Sequence, residues 1–224
     1  CHKTDRMGNV VMAILTLPIL SVLWHMHSAF HVLDRTYVHA SIPTTVLHYD
    51  IRVTVTPDES SLATVCTCKM TMGPEDKGYF CFYLNRSSLI DEITLDGESL
   101  PYEIDTASPY VEAHTIRCRV DSLRSVNEVH TLTVTSRCHA DRSGDNDPDW
   151  MGIIVVRPNE FRCTRQSFWY PVFTTSNDLM SFCHATSSIS VSAPAAFSVL
   201  SQGRLAETRV EGANKVHVWK NTVP

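Results

Sequence analysis

The sequence predicts an all-β protein: a sandwich or saddle-shaped sheet of many antiparallel strands, preceded by a hydrophobic N-terminal segment. From Thr45 onward, apolar and polar residues alternate in short runs, the rhythm of a strand with one buried face. Compact turn signals separate the runs, among them Pro57-Asp58, Gly73-Pro74 and Asp96-Gly97. Nothing between Thr45 and Pro224 carries the apolar repeat of a long amphipathic helix.

The elements come in order. Val10 to Trp24 is uncharged and mostly apolar, with Lys3 and Arg6 ahead of it. It is shorter than the roughly 20 residues of a spanning helix and matches the core of a signal peptide, or a membrane anchor if extended to Phe30. Residues 1–31 are therefore expected to be a signal or anchor segment, placing the protein at a membrane or outside the cytoplasm, and 32–44 a connector. Because the chain opens on Cys1, a processed or cut segment is expected.

Residues 45–224 are expected to form one β-rich domain. Tyr49, Ile51, Val53 and Val55 alternate with Asp50, Arg52 and Thr54, and Leu62 to Met72 answers as the next strand. Tyr79 to Leu84 is the third. Ser88 to Leu95 leads into Asp96-Gly97, with Ser99 to Ile104 as the return arm of a hairpin. Val111–Val120, Glu128–Arg137, Gly152–Val156 and Lys215–Trp219 complete the series. Ser188 to Pro194 alternates strictly until its proline, and Phe197 to Gly203 repeats the rhythm. Between Gly152–Val156 and Ser188 lies Trp169-Tyr170-Pro171, two large rings beside a residue that cannot donate to a ladder. They are expected to form a buried aromatic corner at a chain reversal, with Pro171 ending the strand pairing.

Composition excludes several function classes. The 224 residues are 43% hydrophobic and 19% charged, with net charge −5 and pI near 6.1. That balance describes a globular protein with no basic footprint, so nucleic acid is not the expected partner. Eight cysteines include no C-x-x-C pair, and Cys66 and Cys68 point to one face of a strand. The eleven histidines include no H-E-x-x-H, and no G-x-S-x-G or phosphate-binding loop occurs. His25, His27 and His31 have ligand-like spacing but border the apolar segment. Asp145 to Asp149 opens like a calcium loop, yet Trp150 and Val156 stand where Gly and Glu are required, so an acidic surface loop is expected. Asn85-Arg86-Ser87 is an N-glycosylation sequon, of consequence only in a eukaryotic secretory pathway. The residues spell out no catalytic constellation and no metal site.

The order of the pieces resembles the N-terminal domain of the aminopeptidase-N-like zinc metallopeptidases, in the form of their bacterial branch. Leu47-His-Tyr-Asp-Ile-Arg-Val-Thr-Val55 is similar to the family's opening strand. Tyr83-Leu84-Asn85, Ile93 and Asp96-Gly97 come next as that family has them, then Trp169-Tyr170-Pro171, Ile189 to Pro194, Val199 to Gly203, and Trp219-Lys-Asn-Thr-Val-Pro224. The resemblance implies a non-catalytic β domain that shapes the substrate cleft and docks on a C-terminal catalytic domain of the same protein. That domain, absent from this chain, would hold the Zn²⁺; the chain itself needs no cofactor. The family's N-terminal domain also lends a Gln or Glu to the substrate's free amino group, and Glu160 is the nearest match in position. The alternative is a free-standing β-sandwich binding or adhesion module behind a signal or anchor.

Overall fold

The computed structural model describes residues 44–73, 78–108, 113–120, 128–140, 154–158, 160–164, 167–173 and 185–222. All fall within one unit of the chain, Ser41–Pro224. The hydrophobic run 10–24, the three spaced histidines, the connector up to residue 43 and the acidic stretch 145–149 lie outside the described residues.

Period-two alternation becomes one broad sheet, one small sheet and a separate two-stranded hairpin. The strands in order are β1 (Thr44–Thr56), β2 (Ser61–Met72), β3 (Gly78–Asn85), β4 (Ser88–Leu95), β5 (Glu98–Ser99), β6 (Tyr102–Asp105) and β7 (Ala113–Val120). Then come β8 (Val129–His139), β9 (Val155–Arg157), β10 (Glu160–Arg162), β11 (Thr186–Pro194), β12 (Arg204–Glu211) and β13 (Asn214–Asn221). Eight strands pair in the order β12-β13-β11-β1-β2-β8-β4-β5, three in the order β3-β7-β6, and β9 pairs with β10 alone. The large sheet departs from the antiparallel expectation at one place: β1 and β11 run parallel. A parallel pair needs a long crossover, and well over a hundred residues separate these strands.

Register places the core. Ile189, Ile51, Cys66, Val134 and Ile93 lie side by side across five strands, and all are buried. The next row along the strands is Tyr49, Cys68, Leu132 and Leu95, also buried. The small sheet adds Phe80, Phe82 and Leu84 from β3 and Ile116, Cys118 and Val120 from β7 to the same apolar cluster. Burying side chains of this size stabilises by roughly 1.5–3 kcal/mol each. The opposite face of the large sheet carries Ser188, Asp50, Thr67, Thr133 and Thr94 in one row. Cys66 and Cys68 share the inner face as expected, their sulfurs 3.6 Å apart.

Turn chemistry accounts for the joints. Asp96 and Gly97 have φ of +54° and +84°, the left-handed pair that a tight hairpin turn requires. The return arm expected over Ser99 to Ile104 splits at Pro101: β5 stays with β4, whereas β6 leaves to pair with β7. Proline offers no N–H to continue the first ladder, and its carbonyl instead accepts from the N–H of Arg119 at 2.9 Å. Gly203, at φ +85°, admits no side chain, since a Cβ there would lie 2.2 Å from the Lys220 carbonyl oxygen.

Candidate functional site

Glu160 and the aromatic corner lie on one continuous stretch, residues 160–173. In the β9–β10 hairpin, Glu160 stands opposite Arg157, Phe161 opposite Val156 and Arg162 opposite Val155. Alternation assigns the side chains. Phe161 packs onto the core, its ring 6.4 Å from that of Phe197. Glu160 and Arg162 point away from the core, and Arg162 Nη2 stands 3.6 Å from Glu160 Oε1 with side chains 38% and 47% exposed. An exposed pair of this kind contributes about 0–1 kcal/mol to stability.

The corner is built differently. Ser167 closes a turn on Thr164: its hydroxyl donates to the Thr164 carbonyl at 2.6 Å and accepts from the Thr164 N–H at 3.0 Å. Asn85, at the end of β3, donates from Nδ2 to the Ser167 carbonyl at 2.7 Å and from its backbone N–H to the Phe168 carbonyl at 2.8 Å. Two residues back along β3, Tyr83 and Val172 exchange both backbone hydrogen bonds, at 2.8 and 3.0 Å. Continued regularly, that pairing would set Asn85 opposite Tyr170. Its bond to Phe168 makes Trp169 and Tyr170 the surplus residues of a bulge on the edge of the small sheet.

The rings fan out from that bulge. Tyr170 meets Trp169 edge-on at 4.8 Å and Tyr49 of β1 at 5.5 Å. Phe173 packs between the sheets against Phe80 and Phe82, at 6.4 and 5.6 Å. Phe168 turns to the other side, onto Tyr83, Ala113 and Val172. The corner thus clasps the edge of β3 from both faces.

Two expectations give way at the corner. Pairing does not end at Pro171, because it resumes at Val172; proline is tolerated since Val172 makes both bonds to Tyr83 and the position before it faces away from β3. Trp169 and Tyr170 are half-buried, whereas Pro171 is buried. Asn85, the acceptor of the sequon, is 7% exposed with Nδ2 already hydrogen-bonded, so the nitrogen that would carry a sugar faces inward. Sequence reasoning missed Ser167, Phe168 and Phe173. Asn85-x-Ser87 did hold a signal of its local role, an Asx turn in which Asn85 Oδ1 accepts from the Ser87 N–H at 2.9 Å.

The thiols nearby are poor nucleophiles. Burial pushes Cys163 up to about 12 and Cys81 up to about 11, the latter partly offset by Arg117. Burial also raises Cys138, whose sulfur lies 3.9 Å from Asn85 Oδ1. Among the described residues no three of His, Cys, Asp and Glu converge to hold a metal ion.

No family model and no curated protein sequence matches the chain. Solved structures do. The M1 zinc metallopeptidase of Deinococcus radiodurans, as an E323A mutant bound to a Tyr-Ser-Ala substrate, superposes with TM-score 0.60 at 18% identity, over 81% of this chain and 40% of its own. The same organism's M1 zinc metallopeptidase without that substitution gives 0.58 at 18%, over 80% and 39%. A two-domain M1 zinc metallopeptidase E323A mutant bound to L-tryptophan gives 0.58 at 18%, over 81% and 40%. The likeness is one of fold: the chain has the fold of the N-terminal domain of M1 zinc metallopeptidases. It spans about 40% of the length of these three structures.

Proposed function

We propose that this chain serves as the non-catalytic N-terminal domain of a zinc aminopeptidase-like protein, docking on a catalytic domain and forming one wall of its substrate cleft. The observation that carries the reading is extent. The likeness runs over 81% of this chain yet takes up only 40% of a two-domain peptidase, which leaves the larger part of such a protein for catalysis. The substrate class is peptides with a free α-amino group. Its support is the similar peptidase bound to Tyr-Ser-Ala, together with an outward carboxylate, Glu160, on a hairpin edge. In the cleft Glu160 would release Arg162 and accept charge-assisted hydrogen bonds from the substrate ammonium. A catalytic zinc site needs three protein ligands. The ion belongs to the catalytic domain. Residues 10–24 would carry the protein to or across a membrane.

The test is zinc content and turnover of an aminoacyl chromogenic substrate, for this chain alone and for the chain joined to its natural continuation. The chain alone should hold no stoichiometric zinc and turn over nothing; the extended protein should do both, and Glu160→Gln should raise its KM. Tightly bound zinc with turnover in the isolated chain would overturn the reading.

A further inference from the structure

Among the described residues the hairpin bearing Glu160 pairs at three positions, with Val156 and Phe161 packed on the core, and the turn beyond it carries two buried polar side chains. Ser167 is fully buried and Asn85 is 7% exposed. Buried hydroxyls and amides persist in a core when their hydrogen bonds are satisfied; here the Ser167 hydroxyl and Asn85 Nδ2 both bond within the same turn, while Asn85 Oδ1 accepts from the Ser87 N–H.

We infer that Asn85 and Ser167 are positioning residues that set the register of the β10–corner segment against β3 and thereby fix where Glu160 is presented. The functional consequence rests on the proposed role of Glu160; the positioning does not. The chain of bonds is continuous. Thr164, two residues beyond β10, is clamped through both its N–H and its carbonyl by the Ser167 hydroxyl. The Ser167 carbonyl is clamped in turn by Asn85 Nδ2. The amide of Asn85 has one orientation available, because Oδ1 accepts from the Ser87 N–H and Nδ2 must therefore be the group facing Ser167. A second bond comes from the same residue, its backbone N–H on the Phe168 carbonyl.

Phe168 explains why so much polar chemistry gathers at one turn. Its φ is +50°, in the left-handed region that large side chains rarely occupy. Such a conformation persists where its surroundings over-determine it. Asn85 holds two successive carbonyls, those of Ser167 and Phe168, while the Phe168 ring packs on Tyr83 and Ala113. Without the side-chain bonds, the turn has an easier backbone conformation to relax into, and the hairpin ahead of it loses its fixed anchor.

Amide hydrogen exchange on the 224-residue chain tests this, with Ser167→Ala and Asn85→Asp. The aspartate keeps the acceptor for Ser87 and loses the donor to Ser167. Both variants should exchange about tenfold faster across residues 155–162, with β1, β2 and β8 unchanged. In the extended protein both should raise KM for a free-amino peptide about tenfold, as Glu160→Gln does, with kcat within about twofold of the parent. If Glu160→Gln leaves KM untouched, the role of Glu160 fails, and the exchange pattern still decides the positioning. Unchanged exchange in the hairpin overturns the inference. So does a uniform rise in all strands, or loss of folding in both variants, since either makes Asn85 and Ser167 general core residues.

Discussion

The centre of the large sheet and the corner at residues 160–173 are both β-structure, but different forces hold them. In the centre, β1, β2 and β8 pair over ten or more residues, and each inward side chain is buried by its neighbours on both sides. No single residue there decides the geometry, since losing one leaves the ladder and the rest of the row. In the corner, pairing with β3 among the described residues is at Tyr83 and Asn85. Its shape comes from two polar side chains, one left-handed residue and a fan of rings. Regular ladders give stability spread over many residues, whereas the bulged corner gives specific shape from a few. The segment proposed to meet a substrate is of the second kind.

Substitutions should separate the two regions at graded cost. Leu132→Ala, at a fully buried position in the centre of the large sheet, should destabilise by about 2–5 kcal/mol, read as a lowered midpoint in a denaturant titration. Trp169→Ala should cost less, about 1–3 kcal/mol, because the ring is half-buried and its partner Tyr170 keeps Tyr49. A loss for Trp169→Ala as large as that for Leu132→Ala would mean the corner is part of the core and not an appendage to it.

Two smaller effects refine the contrast. Burial and the nearby Lys215 hold His217 below the usual histidine range. Its folded value lies below the unfolded value of about 6.5, so the unfolded chain binds the extra proton first. The contribution is complete above the unfolded value and fades as pH falls toward the folded one. His217→Gln should flatten the stability profile in that window, and an unaltered profile would refute the assignment. Glu160→Ala should change stability by no more than about 0.5 kcal/mol, as exposed positions do. A larger loss in a thermal melt would mean that the Arg162 pair is structural and the carboxylate is not available to a ligand.

Legibility in the sequence divides along the same line. The central strands could be read residue by residue, because one face is buried and the other is wet, and alternation records that directly. Asp96-Gly97 announced its turn. β12 could not be read, for all eight of its residues are exposed and Arg204-Leu-Ala-Glu-Thr-Arg-Val-Glu211 has no buried face to set a rhythm. The rhythm of Phe197 to Gly203 misled in the opposite sense: Val199 is buried in a loop, and the strand begins only at Arg204. Within the corner, Trp169-Tyr170-Pro171 marked the place but not the geometry. The bulge depends on which β3 residue reaches Phe168, a contact across more than eighty residues that no local pattern encodes.

If this β domain is one part of a two-domain zinc aminopeptidase-like protein, the transcript must encode the other part. Sequencing that transcript through the codon for Pro224 should reveal an open frame that reaches an H-E-x-x-H motif within about a hundred residues. A stop codon directly after Pro224, in transcripts confirmed by the mass of the native protein, would refute the two-domain reading and leave a free-standing binding module.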